Sequence, residues 1–581
     1  MTKPACIDPE KIVPISRQST AVFKTGAWGA RRPEHLEKLS PCRTACPAGN
    51  PIPQALFRAA QGDFDGALAA FLEENPLPGV CGRVCYHPCE LECNRAPWDG
   101  AVHIRALERL AAEYGKSEPV LLTQAGRDQP VAVVGSGPAG LSATYHLARM
   151  GHPVSLIEAE KALGGLLRWG IPSYRLPLEA LEKDVDRILS LGVDVSKGVR
   201  IDAQGLEKLL TSHKAIFLAM GAQKSVVLDI PGRNLKGVLT AVEFLKKVRH
   251  GTSGQLPGKV VVIGGGNVAI DAAMTARRLG AELVSIICLE QREDMPARER
   301  EVKDALEEGI LLGTGWGPKE IVESAGAVEE VIFMKCTSVF DNRGRFDPSF
   351  DRDRTMRAGA DWVILAVGQT PDLEAFQGTG LFPENAVAAV QTKGRTPATP
   401  VQGVFAGGDL VTGPGSVSEA IAEGKRAALA IHLSLQGRSF YEVEETVRLG
   451  LGPSFSIHAL FHPPPRRDPK TVVRFEDLEP LFLDDRPRRT LPRVKPGQRG
   501  TSFQEINWPL PVEEAEEEGG RCFFCGTCTG CDRCYLYCPE VAVMPPGGER
   551  NCYEADNEYC KGCGVCAAVC PRGVMTMGEE K

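Results

Sequence analysis

The chain has 581 residues, which at roughly 100 to 200 residues per domain predicts three to five domains. With 43% hydrophobic, 24% charged and 6% aromatic residues it falls in the globular class, neither disordered nor fibrous. Its 67 Lys and Arg against 74 Asp and Glu leave a net charge of -7, which argues against a nucleic-acid partner held on a broad basic face.

The 20 cysteines are unevenly placed: six lie between Cys42 and Cys93 and eleven between Cys522 and Cys570. Gaps of two and three residues favour metal chelation over a disulfide framework. The first residues carry no apolar core behind a basic start, and no apolar run reaches the length of a membrane span, so the sequence predicts a cytoplasmic protein without a membrane span. Cys288 and Cys336 sit in strand-like apolar runs and read as core residues; Cys6 carries no argument.

In chain order, residues 1–125 are interrupted by Pro and then helical, as in AVHIRALERLAAEYG, and predict a helical cysteine-bearing domain. Two segments follow in which an apolar β-run meets a glycine turn and a helical pattern, QPVAVVGSGPAGLSATYHLARMG and GKVVVIGGGNVAIDAAMTARRLG. Each reads as the first βαβ unit of a dinucleotide-binding fold, so the fold class is α/β with two Rossmann-like domains. Residues 436–510 turn rich in Pro and Arg and predict an extended linker draped over other domains. The acidic run VEEAEEEGG reads as a solvated helix face and leads into the second cysteine block, a domain at 511–581.

The first turn, Gly135-Ser136-Gly137-Pro138-Ala139-Gly140, fits G-x-G-x-x-G, and Glu158 ends the next β-like run, where a carboxylate accepts both hydroxyls of an adenosine ribose. The helix that begins at this turn offers N–H groups and partial positive charge to a pyrophosphate. The second turn, Gly264-Gly265-Gly266-Asn267-Val268-Ala269, is the G-x-G-x-x-A form, followed 21 residues on by Glu290. A carboxylate there bonds a ribose hydroxyl and repels a 2'-phosphate, so NADH is expected over NADPH; Arg292 is the counter-evidence, since it is able to reach a phosphate. Further on, the Gly407-Gly408-Asp409 turn precedes a helix starting near Ser416 and Val417, an arrangement suited to a ribityl chain and a flavin ring.

Residues 126–435 resemble the two-dinucleotide flavoprotein family that includes the small subunit of glutamate synthase and the amino-terminal half of dihydropyrimidine dehydrogenase. The signatures GGLLRWGIPSYRLP at 164–177, which contains Gly165, and EDMPARE at 293–299 carry the likeness. The resemblance implies FAD on the first turn, with Gly165, Gly408, Asp409 and Val417 beside it. It implies a nicotinamide nucleotide on the second turn, and an NAD(H) domain at 256–368 splitting an FAD domain into 126–255 and 369–435. Most members carry two Arg where this chain has Leu289 and Glu290, which adds to the NADH expectation.

In the tail, Cys528-x2-Cys531-x2-Cys534-x3-Cys538-Pro and Cys560-x2-Cys563-x2-Cys566-x3-Cys570-Pro each have the spacing of a bacterial two-cluster ferredoxin. Because the fourth thiolate crosses over, Cys528, Cys531, Cys534 and Cys570 are expected on one [4Fe-4S] cluster and Cys560, Cys563, Cys566 and Cys538 on its neighbour. The segment CTGCDRCYLYCPE also resembles the delta subunit of pyruvate:ferredoxin oxidoreductase. Cys522, Cys525 and Cys552 fall outside both motifs, as ligands of another centre or as spare thiols.

The first block reads Cys42-x3-Cys46-Pro47 and then Cys81-x3-Cys85-x3-Cys89-x3-Cys93, which suits one or two [4Fe-4S] clusters, with zinc as the alternative. Relatives in the resembling family bind two clusters here through an upstream C-x2-C that this chain lacks; Cys81 is a candidate for the vacancy, and alignment of HIRALERL places Glu108 as a non-thiolate ligand. His87 and His103 are assigned no role.

The whole reads as an electron-transfer oxidoreductase moving electrons between NAD(H), FAD and iron-sulfur clusters, with no side chain required as nucleophile or base. It is expected as one subunit of a larger complex whose partner is another redox subunit or a ferredoxin. A glutamate synthase small subunit and an iron-sulfur scaffold or redox sensor are the alternatives.

Overall fold

The computed structural model describes residues 30–381, 390, 392, 396–452, 454–463, 467–547 and 552–579; Cys6 lies outside them. Two compact units result, a larger one of residues 42–463 and 487–522 and a smaller one that combines 30–41, 467–486 and 523–579. No helix among the described residues is long and apolar enough to cross a membrane.

In the larger unit the apolar run Val131–Val134 is buried on both faces and forms the middle of a five-stranded parallel sheet. Its order is Val404–Ala406, Ala215–Leu218, Val131–Val134, Val154–Glu158 and Asp194–Lys197. A second parallel sheet runs Leu311–Thr314, Leu283–Cys288, Lys259–Ile263, Trp362–Leu365 and Val238–Thr240. All of its strands fall between Leu218 and Val404, so one dinucleotide fold interrupts the other. Val238–Thr240 already belongs to the inserted sheet, ahead of residue 256, because it pairs with Trp362–Leu365. An antiparallel sheet of Trp316–Ser324, Ala327–Phe340 and Phe346–Gly359 completes this part. Cys288 and Cys336 are core residues at 2% and 4% exposure.

The cysteine-bearing helices pack on this body. Helix Ile104–Tyr114 buries Leu107, Leu110 and Ala111, and Gly82 lets helix Pro78–Val84 come so close that an added Cβ would meet the Arg109 nitrogen at 2.6 Å. The long helix Val417–Leu435 is tied to the same region by Lys425, whose ammonium is fully buried and donates to the carbonyls of Ala48 (2.5 Å) and Phe455 (2.7 Å) and to Glu74 (2.9 Å). Glu74 is equally buried, so the pair carries no net charge into the core.

The stretch read as a draped linker is more ordered than its composition suggests. Phe440–Val447 is a helix opened by a Ser439–Glu442 capping box. Farther along, Arg493 and Arg499 bind Asp304 and Glu307 at 2.6 and 3.0 Å, while Ile506 joins the core beside Tyr174. The acidic run forms helix Val512–Gly520 within the larger unit, and Glu518, 1% exposed, accepts bonds from the His103 N–H and Arg521. That face is buried rather than solvated.

The smaller unit holds the tail motifs. Strand Arg31–His35 pairs antiparallel with Met575–Glu579, and Val543–Met544 with Glu554–Ala555. Two four-residue helices, Arg533–Leu536 and Val565–Ala568, each begin after a residue with positive φ, Asp532 at 59° and Gly564 at 81°. That left-handed step directly follows Cys531 and Cys563 and turns each short-gap loop back on itself.

Candidate functional site

At the first glycine turn, Gly135 has φ of 103°, and a Cβ on Gly140 would stand 1.8 Å from the Gly135 carbonyl, so strand and helix meet as the pattern requires. Pro138 opens helix Pro138–Arg149, where its missing N–H costs nothing. A Cβ on Gly137 would meet nothing within 4 Å, which leaves open space at the helix N-terminus for a pyrophosphate. Glu158, 5% exposed, accepts the Ser136 N–H at 2.8 Å and the Glu160 N–H at 2.8 Å. Gly165 lies against the turn, where a Cβ would stand only 2.8 Å from the Gly137 Cα.

The later turn closes on the same place. Gly408, with φ of 66°, brings its backbone so near Ala139 that a Cβ would stand 2.8 Å away. Asp409 follows, its carboxyl pushed up to about 6 by burial and opposed by the Gly415 N–H it accepts. Val417 starts the long helix under a Ser416–Glu419 capping box, and Gly424 packs that helix onto Pro138–Arg149, with room for no Cβ beside the Ala139 carbonyl. Gly165 and Gly408 thus both approach the glycine turn, and the helix that Val417 begins packs on helix Pro138–Arg149.

At the second turn Gly264 has φ of 140°, Gly266 faces open space, and Ala269 is fully buried. The Glu290 carboxylate overlies the turn: a Cβ on Gly265 would be 2.5 Å from its Oε2. Arg292 instead pairs with Glu299 at 2.7 Å. Val268 is half-buried in the first turn of helix Asn267–Arg278. Asn267 is held on three sides: its amide donates to Tyr86 Oη at 2.9 Å and to Glu301, and its Oδ1 accepts the Arg298 N–H at 3.1 Å. Arg175 bridges Asp271 (2.8 Å) and Glu301. Sequence reading missed this network, although Tyr86 is the neighbour of a predicted ligand, Cys85.

In the first cysteine block, Cys46, Cys81, Cys85, Cys89 and Glu108 line one cavity, with Ser418 on its wall. The Cys85 sulfur lies 3.8 Å from Ser418 Oγ and accepts the His87 N–H at 3.3 Å. His87, given no role from sequence, adopts φ of 46° and makes this contact through its backbone. Glu108 is buried, and both amides that reach it, Asn50 (3.2 Å) and Asn75 (2.8 Å), bind the same oxygen, Oε1. Burial pushes the Glu108 carboxyl up to about 8. Burial and then Glu108 push the Cys85 thiol up to about 12, and Cys81 and Cys89 are also raised by burial. A set of apolar-walled acids that resist ionisation alone fits a cationic metal core, which would reverse that cost. Among the described residues no group of three or more His, Cys, Asp or Glu side chains is gathered to hold a single metal ion. Cys42 and Cys93 stand outside the cavity lining.

In the smaller unit, burial pushes the Cys534 thiol up to about 12, and the charges that add to it are Cys570, Cys528 and Cys531. Cys566 is pushed up to about 11 by burial, with Cys560, Cys538 and Cys563 beside it. Cys528, Cys538 and Cys570 pack against the same small core as Cys534 and Cys566. Cys531 and Cys563 are exposed. Cys525 packs with Val473, Leu478 and Phe523, and Cys552 is half-buried.

Residues 129–424 match the pyridine nucleotide-disulphide oxidoreductase family. Residues 32–120 match dihydropyrimidine dehydrogenase domain II, 4Fe-4S cluster, and residues 553–576 match the 4Fe-4S binding domain. The chain is 34% identical to the NADP(+)-dependent formate dehydrogenase subunit beta of Moorella thermoacetica, over 88% of this chain and 72% of that protein. It is 32% identical to the NADPH-Fe(3+) oxidoreductase subunit beta of Geobacter sulfurreducens (strain DL-1 / KN400), over 86% and 77%. It is 32% identical to the NAD-dependent dihydropyrimidine dehydrogenase subunit PreT of Escherichia coli (strain K12), over 68% and 92%.

Proposed function

Because the chain belongs to the pyridine nucleotide-disulphide oxidoreductase family and carries 4Fe-4S domains near both ends, we propose that it is the subunit through which a nicotinamide nucleotide exchanges electrons with a partner redox subunit or ferredoxin. The observation that carries this reading is the 3.8 Å approach of Ser418, on the first turn of the flavin-facing helix, to the sulfur of Cys85 in the cysteine-lined cavity.

The residues that would hold FAD are Gly135 to Gly140, Glu158, Gly165, Gly408, Asp409 and the helix end at Val417. Bound FAD would accept hydride and release electrons singly, which is what joins a two-electron donor to one-electron clusters. Glu158 is set to bind ribose hydroxyls, while the glycines keep backbone N–H groups clear for phosphates. Asn267, fixed by Tyr86, Glu301 and Arg298, holds the nicotinamide-side turn against the cysteine loop. Cys46, Cys85, Cys89 and Glu108 would hold an amino-terminal cube, with Cys81 lining the same cavity. Cys528, Cys531, Cys534 and Cys570, and Cys560, Cys563, Cys566 and Cys538, would hold the two tail cubes. The exposed Cys531 and Cys563 would place the rims of those cubes toward a partner.

For the nucleotide, NADH is the reading that Glu290 supports: its carboxylate covers the turn while Arg292 is engaged by Glu299. Two of the relatives above are named for NADP(+) or NADPH and one for NAD, so likeness alone points both ways. The test is anaerobic stopped-flow with NADH and NADPH on the as-isolated complex. Rapid flavin bleaching followed by cluster reduction is expected, with the larger kcat/KM for NADH; flavin that bleaches while no cluster is reduced would sink the electron-transfer assignment.

A further inference from the structure

We infer that Cys522 supplies a thiolate, together with Cys42 and Cys93, to a second amino-terminal iron-sulfur centre. The inference rests on reading the first block as cluster ligands. Cys46, Cys81, Cys85, Cys89 and Glu108 line one cavity, and Cys42 and Cys93 are not among its lining residues.

The chain ahead of Cys522 is clamped to the loop that carries Cys93. The Arg521 carbonyl, which shares its peptide group with the Cys522 nitrogen, accepts a bond from the Arg95 guanidinium, two residues beyond Cys93. The Arg521 guanidinium in turn donates to the carbonyls of Gly100 (2.7 Å) and Ala101 (3.3 Å) and to Asp99 Oδ1 (3.2 Å). Glu518 closes the clamp by accepting the His103 N–H at 2.8 Å and Arg521 at 2.7 Å. Arg95, Arg521 and Glu518 are at most 3% exposed, and buried charges hydrogen-bonded in this way fix a segment in one register. The Cys522 N–H bonds back to the Gly519 carbonyl at 3.1 Å, which holds this cysteine at the helix end.

The surroundings of Cys93 are those of a metal-bound sulfur. It accepts N–H bonds from Val102 and Arg95 and faces the Arg521 guanidinium. Donors of this kind stabilise a ligating thiolate and tune a cluster's potential. Cys42, 8% exposed, is buried in the short helix Pro41–Ala45 that leads into Cys46. Three thiolates are the number that each short-gap ferredoxin loop brings to a cube before the fourth ligand arrives from elsewhere. Cys522 would thus do for this chain what the missing upstream cysteine pair does in the family it resembles.

The test uses the full chain, purified without oxygen. At four iron atoms per cube, wild type should carry about sixteen per flavin and Cys522→Ser about twelve, with the flavin and tail-cluster EPR signals unchanged. Cys42→Ser and Cys93→Ser should each remove the same signal as Cys522→Ser. Wild-type iron in Cys522→Ser, or zinc bound in place of the lost iron, overturns the inference. Should the variants fail to fold, alkylation of the wild-type holoprotein decides. Cys522 is expected to resist iodoacetamide until a chelator and oxidant strip the iron, and modification at the rate of a free thiol would refute its ligation.

Discussion

The Ser418 hydroxyl lies 3.8 Å from the Cys85 sulfur. It joins the first turn of helix Val417–Leu435 to the wall of the cysteine cavity, so on the proposed reading a single hydroxyl sits between the flavin site and the cluster site. With Cys85 ionised, that hydroxyl becomes the donor, and donors to sulfur favour the reduced, more negative state of a cluster. Ser418→Ala is therefore expected to lower that cluster's potential. A hydrogen bond of about 0.5 to 1.5 kcal/mol, at 59 mV per tenfold for one electron, gives a fall of roughly 20 to 60 mV. A redox titration followed by EPR measures it, and flavin bleaching by NADH should persist.

Nucleotide choice should respond to Glu290. Its carboxylate overlies the Gly265 turn, where on the proposed reading it would accept from a ribose hydroxyl and repel a 2'-phosphate. Glu290→Gln removes the repulsion, and Glu290→Arg replaces it with attraction. Charged hydrogen bonds of about 1.5 to 3 kcal/mol correspond to a shift of roughly ten- to a hundredfold in the ratio of kcat/KM values toward NADPH for the arginine variant. An unchanged ratio would leave discrimination to other residues.

Acid should weaken the fold through its buried histidines. Burial, with His152 and Arg438 adding to it, lowers His432 to about 4; burial likewise lowers His458 to about 4, and His152 and His146 are also lowered. A histidine depressed in the fold stays neutral there while the unfolded chain, near 6.5, takes up protons. The histidine contribution to stability is thus full above 6.5 and falls as pH drops from 6.5 toward 4. The loss is about 1 kcal/mol per histidine between pH 6.5 and 5.5. His152 and His432 share one hydrogen bond at 2.9 Å, which needs one of them as acceptor. Melting His432→Gln against wild type over this window should show the shallower slope in the variant.

The buried Lys425–Glu74 pair should be costly to break from one side. Lys425→Met leaves Glu74 to the Ser456 hydroxyl, the Ile457 and His458 N–H groups and the charge of the buried Arg43, and a loss of about 3 to 5 kcal/mol is expected. Adding Glu74→Gln removes the orphaned charge and should recover most of it. Denaturant midpoints of the single and double variants decide the matter.

The parts legible in the sequence were those with short-range grammar. Gly135 to Gly140 and Gly264 to Ala269 announce strand, turn and helix because a backbone that tight admits few residues, and the tail cysteines carry their own spacing. What escaped depends on pairs far apart in the chain. Asn267 meets Tyr86 across 181 positions and Arg175 meets Glu301 across 126, and each alone reads as a surface residue. Glu518, one of a run of acids, gave no sign that it differs from Glu516 or Glu517. His87 escaped for another reason, since it acts through its backbone N–H, which no side-chain pattern encodes.

Lys425 also bears on how the molecule is divided. One ammonium serves a carbonyl at Ala48, a carbonyl at Phe455 and the carboxylate of Glu74, so the reductase and its cysteine helices share an interior. A chain begun near residue 125 would strand this buried cation, which would lose the Ala48 carbonyl and the Glu74 carboxylate and keep only the Phe455 carbonyl of the three.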